Sequence, residues 1–123
     1  MSRAKLALLV VSADAARLRA ALVLARAEVA LDGGARIFLQ GEAAALLKPP
    51  LSDPADHVWR GAGEPSLAEL LDAALNDGVA VSLCQSGLAM AGMDGSAIDA
   101  RIEISGPIAF LAGIGEETRL AIV

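Results

Sequence analysis

The chain has no tyrosine, one tryptophan, two phenylalanines, one histidine and one cysteine among its 123 residues. Each scarcity removes a class of explanation. A lone cysteine excludes an internal disulfide framework and any Cys-rich zinc site, because both need several thiols, and it fits a reducing compartment. With 2% aromatics a flavin ring finds little to stack on. Gly113-Ile114-Gly115 closes a helical segment instead of opening one, so it is no dinucleotide fingerprint. Ten basic against fifteen acidic residues give a net charge of −5, without the clustered Lys and Arg that a nucleic-acid backbone demands. No stretch approaches the roughly 20 uninterrupted apolar residues of a membrane span. Residues 3–15 imitate a signal peptide, but the apolar run Leu6 to Val11 is shorter than the usual apolar region and is better used as a first strand. The expectation is a soluble cytoplasmic protein with no cofactor, no bound metal, no nucleic-acid partner and no membrane contact.

What is abundant is aliphatic. The apolar fraction is 55%, so the core is built of Ala, Val, Leu and Ile, and one domain spans residues 1–123. A small monomer that apolar leaves hydrophobic surface over, which another subunit usually covers; a homo-oligomer is expected.

Apolar periodicity divides the chain into alternating strands and helices. Lys5 to Val11 is a continuous apolar run, the mark of a strand buried on both faces. Leu18, Leu22, Ala25 and Val29 then recur at helical spacing, with Asp14 near the start and Gly33-Gly34 past the end. Ala35 to Gln40 predicts a second strand, and Glu42 to Leu47 a short helix stopped by Pro49 and Pro50. Residues 48–65 hold four of the five prolines, His57 and Trp59 and show no period; they predict a long loop, either functional or a surface excursion pinned by Trp59. Ser66-Leu67-Ala68-Glu69 is a capping box opening a helix with Leu67, Leu70, Leu71, Ala74 and Leu75 on its buried stripe, closed by Gly78. Val79 to Leu83 predicts another buried strand, Gln85 to Met93 a short helix, Arg101 to Ile104 a fourth strand, Pro107 a helix start, and Arg119 to Val123 a last strand. The alternation predicts an α/β fold: a three-layer sandwich around a mostly parallel five-stranded sheet, flavodoxin-like in strand order.

In open parallel sheets chemistry collects at the carboxyl ends of the strands. Three segments lie there: Ser12 to Asp14, Gln40 to Glu42, and Cys84 to Gly87. Cys84 is the candidate catalytic residue, since a strand-to-helix turn aims unpaired amides of Gln85, Ser86, Gly87 and Leu88 at its sulfur and favours the thiolate. The residues equally allow Cys84 to be a small buried hydrophobe. A phosphatase or rhodanese-type anion loop needs an arginine about six positions on, where this chain has Gln, Ser, Gly, Leu, Ala and Met. A Cys/His pair would have to recruit His57 from the long loop. Ser12, Asp14, Gln40, Gln85, Ser86 and Gly87, with His57, form the candidate shell; each is also an ordinary turn or cap residue.

The opening strand with the Ala-rich helix SADAARLRAALVLARAEVALDGG, the strand ARIFLQGEAA, the segment VAVSLCQSGLAMAGM and the ending from RIEISGP together resemble the DsrE/DsrF-like superfamily, whose small α/β subunits include sulfur carriers. The family's characteristic cysteine falls on Cys84. The resemblance implies a persulfide carrier: Cys84 accepts a sulfane sulfur from a donor protein and passes it to an acceptor, without a cofactor, in a trimer or hexamer. The alternative is a non-catalytic oligomeric scaffold or small-ligand binder in which Cys84 is structural.

Overall fold

The computed structural model describes residues 3–123. Strands β1 (Leu6–Val10), β2 (Ala35–Leu39), β3 (Ala80–Cys84), β4 (Glu103–Ser105) and β5 (Arg119–Ile122) form one parallel sheet in the order β4-β3-β2-β1-β5. Between them run helices α1 (Ala15–Ala30), α2 (Asp56–Gly61), α3 (Leu67–Asn76), α4 (Gln85–Met90) and α5 (Pro107–Ala112), with 3-10 turns at Gly41–Leu47 and Gly95–Ala97.

The α/β class and the five-stranded parallel sheet are those expected, but the strand order differs in detail from the 2-1-3-4-5 of flavodoxin itself. Three successive crossovers step the same way across the sheet, from β1 to β2 to β3 to β4. Right-handedness therefore puts all their helices on one face. Only the last connection reverses, carrying the chain from the β4 edge past β1 to β5, and α5 alone lands on the opposite face.

Strand side chains alternate between these faces. Leu8, Val10, Ile37, Leu39, Val81 and Leu83 point to the first face and pack on Leu18, Leu22 and Ala25 of α1 and Leu67, Leu70 and Ala74 of α3. Each fully buried leucine there contributes roughly 2 kcal/mol by removal from water. The second face carries Ala7, Phe38 and Cys84, closed by Phe110 of α5, whose ring stacks on Phe38 at 5.0 Å between centroids. The two phenylalanines of the chain thus meet each other.

The local signals operate as their chemistry requires. The Asp14 carboxylate accepts from the Ala16 amide at 2.9 Å and caps α1. Both halves of the capping box form: the Glu69 amide donates to Ser66 Oγ at 3.2 Å, and the Ser66 amide to the Glu69 carboxylate at 2.9 Å. Gly78 takes a φ of +96° to close α3, a conformation that costs any residue with a Cβ.

Two expectations need correction. Residues 48–65 are not a structureless loop, because Asp56–Gly61 folds as α2. Its turn is built by polar exchange instead of an apolar stripe: the Asp53 carboxylate accepts from the Ala55 amide, and the Asp56 carboxylate from the Asp53 and Leu67 amides. Trp59 does pin the segment, its ring lying under the Arg19 guanidinium at 4.4 Å. The fourth strand begins at Glu103, not Arg101. Arg101 instead turns away to bind Asp72, Asp99 and Asn76 at 2.8, 2.7 and 2.9 Å.

Candidate functional site

Cys84 ends β3 and is the N-cap of α4, so its side chain stands where sheet gives way to helix amides. Burial pushes the thiol up, but the amides of Gly41, Gly87 and Ser86, with the Ser86 hydroxyl, favour the thiolate and outweigh it. The net result is a thiol held below its ordinary value, which favours the nucleophilic thiolate. Two of these amides come from the turn after the cysteine. The third comes from Gly41, brought alongside because β2 and β3 are neighbours in the sheet.

The approach of the two segments is close. A Cβ on Gly87 would lie 2.1 Å from the Gly41 carbonyl oxygen and 2.9 Å from the Ala44 Cβ, so a side chain there would push them apart. Gly41 itself sits at a φ of +55°. Glycine at both positions lets the backbone wrap the sulfur. On its other side Cys84 joins the cluster of Ala7, Phe38 and Phe110, with Leu9 and Ile114, and the residue is only 2% exposed.

The remaining candidates divide. Ser86 and Gly87 contribute to the lowered pKa of the sulfur, whereas Gln85 and Leu88 do not. Ser12 and Asp14 line a shallow neighbouring cleft with Arg17 and Glu42, and the Ser12 hydroxyl is enclosed without a partner. Asp14 serves as the cap of α1. Gln40 is the N-cap of the 3-10 turn and donates its amide to the Val10 carbonyl, holding the β1 and β2 ends together.

His57 is not brought to the cysteine. It is exposed on α2, on the first face, with Nδ1 3.1 Å from the Pro54 carbonyl, while the Cys84 side chain packs on the second face. A Cys/His pair is therefore absent among the described residues. Sequence reasoning missed Gly41 as a donor and Phe38 and Phe110 as the cover. A glycine just after a strand end was the available sign for the first. Among the described residues no group of three His, Cys, Asp or Glu side chains could hold a metal ion, and no helix is long and apolar enough to cross a membrane.

Comparison with known proteins places this geometry. A protein of unknown function from Methanobacterium thermoautotrophicum, MTH1491, shares the fold with a TM-score of 0.68 at 15% identity, over 97% of this chain and 98% of that one. The ychN protein of E. coli superposes with a TM-score of 0.62 at 18% identity, over 98% of this chain and 100% of its own. At such identities the likeness concerns the fold alone. No curated protein matches in sequence. The DsrE/DsrF-like family matches residues 4–120, nearly the whole chain, and the protein belongs to that family.

Proposed function

We propose that this protein is a sulfur carrier that works through Cys84 in the cytoplasm. Family membership relates it, at the level of the family, to sulfur-relay proteins. The observation that carries the finer reading is the setting of the sulfur among three backbone amides and one hydroxyl, which favours a thiolate with no cation or histidine among the described residues contributing to its lowered pKa.

The chemistry is an exchange without net redox change. The Cys84 thiolate attacks the terminal sulfur of a donor persulfide, R–S–SH. The new S–S bond forms as the donor's own S–S bond breaks, R–S⁻ departs, and Cys84–S–SH remains. An acceptor thiolate then attacks the outer sulfur and releases Cys84 as thiolate. The same amides that hold the thiolate receive it again as the leaving group. No cofactor takes part; the partners are a donor protein, an acceptor protein and further copies of this chain. Assembly into trimers or hexamers is part of this reading. The exposed apolar residues of the second face support it, with Ile108 at 85% and Ile122 at 66% exposure.

One observation favours the alternative of a scaffold or ligand-binding protein with a structural cysteine: Cys84 is buried, and transfer requires local opening of its cover. Intact-mass spectrometry separates the two. After incubation with a cysteine desulfurase and cysteine, the carrier gains about 32 Da, one sulfur on a reactive thiol, and dithiothreitol removes it. Cys84→Ser gains nothing. A wild-type protein that gains no sulfur and resists alkylation while folded leaves the scaffold reading standing.

A further inference from the structure

We propose that the groove between α1 and α2 binds a small aliphatic monocarboxylate, its carboxylate on Arg19 and its chain against Val23, Leu24, Leu70 and Trp59. The groove encloses about 420 Å³, within the range of small-molecule sites, and its lining is largely apolar. It lies on the opposite side of the sheet from the Cys84 sulfur and is independent of the carrier reading.

Its floor is an arginine with one unspent donor. Arg19 is only 5% exposed. Its Nη2 donates to the Pro65 carbonyl at 3.0 Å. The Asp56 carboxylate forms an ion pair with Nη2 at 3.6 Å, too long for a hydrogen bond, and its oxygens already accept the Asp53 and Leu67 amides. Nε is enclosed and has no hydrogen-bond partner among the described residues. A buried cation with an unmet donor is costly and calls for an acceptor. If Arg19 served only to pin α2, the Pro65 bond and the stacking on Trp59 would suffice, and Nε would still be unexplained.

The walls decide what kind of acceptor. Val23 and Leu24 are half exposed on α1, one helical turn beyond Arg19, and Trp59 presents its indole from α2. These surfaces suit an alkyl chain. The other charged residue of the lining, Glu64, is exposed and repels a second anionic group, which selects a monocarboxylate over a dicarboxylate. Because the Trp59 ring covers the guanidinium, the entering carboxylate must shift it.

The test uses sodium octanoate, octan-1-ol and octylammonium with the full-length protein, followed by NMR at the Arg19 Nε–H and at the indole N–H of Trp59, the single tryptophan. Octanoate is expected to move both resonances saturably, with half-saturation at or below about 1 mM. Octan-1-ol should bind at least about tenfold more weakly, and octylammonium more weakly still, because neither supplies an anionic acceptor. Leu24→Glu, at an exposed position, should lose octanoate binding while keeping the far-UV spectrum. An Arg19 Nε–H that stays unmoved at about 10 mM octanoate, well above the affinities at issue, overturns the proposal. So does octan-1-ol binding as tightly as octanoate.

Discussion

The two faces of the sheet are built on different principles. Three crossovers supply the first with α1, α3, α4 and a 3-10 turn, all packed through aliphatic side chains. One crossover supplies the second with a six-residue helix, two stacked phenylalanines and the cysteine. The first face holds the fold together. The second holds the cysteine under a light cover. Elements with few buried apolar contacts are those that open most readily, so local opening on this face would expose the thiol before any group of the first.

That contrast can be broken most sharply from the heavily covered side. Leu22→Ala, which empties a fully buried site between α1 and the sheet, is expected to cost about 4 kcal/mol in urea unfolding, the transfer loss plus the cavity. Phe110→Ala on the light side should cost about 3 kcal/mol, at the lower end for such truncations, because the site opens toward water. Its second effect is the diagnostic one: iodoacetamide should modify native Cys84 faster than in wild type. Equal rates would mean that Phe110 does not control access.

The next experiment concerns the tie between the two layers. Glu28, buried on α1, is bound by Arg3 at 2.6 Å and by Arg119 of β5. The Arg3 and Arg119 guanidiniums hold its carboxyl far below the usual carboxylate range, at about 2, against the opposing effect of burial. A depressed folded value means that the unfolded chain takes up the proton first. The stabilisation is therefore complete above about 4.5 and is lost as pH falls toward about 2. Denaturant titrations at stepped pH should show this loss in wild type and its attenuation in Glu28→Gln. An identical acid profile in both would remove Glu28 from the account.

The smallest expected change in stability comes from the exposed rim of the second face. Ile122→Lys should alter unfolding of the isolated chain by less than about 0.5 kcal/mol, as surface substitutions usually do. It should nonetheless lower the mass seen in sedimentation if copies associate there. Unchanged mass would locate self-association elsewhere or exclude it.

Much of this was legible in the sequence because the signals are local. Lys5 to Val11 and Val79 to Leu83 carry their strand character in uninterrupted apolar runs, and Ser66 with Glu69 states a helix start in four residues. The helix at Asp56–Gly61 was hidden because it starts from carboxylate-to-amide exchange between Asp53 and Asp56 and buries no stripe. Strand order was beyond reach of periodicity, since right-handed crossovers permit more than one sequence of steps. For the site, the position of Cys84 at a strand end and the amides of Ser86 and Gly87 followed from neighbours in the chain. Gly41 did not, because it becomes a neighbour only when β2 pairs with β3.

That last dependence makes the thiol a gauge of the folded state. Its acidity is assembled from parts 43 positions apart, Gly41 and Cys84, and a chain that has lost the β2–β3 pairing has an ordinary cysteine. The pH at which Cys84 becomes a nucleophile should therefore lie lower in the folded protein than in the unfolded chain, and equal values in both would remove the β2–β3 pairing from its acidity.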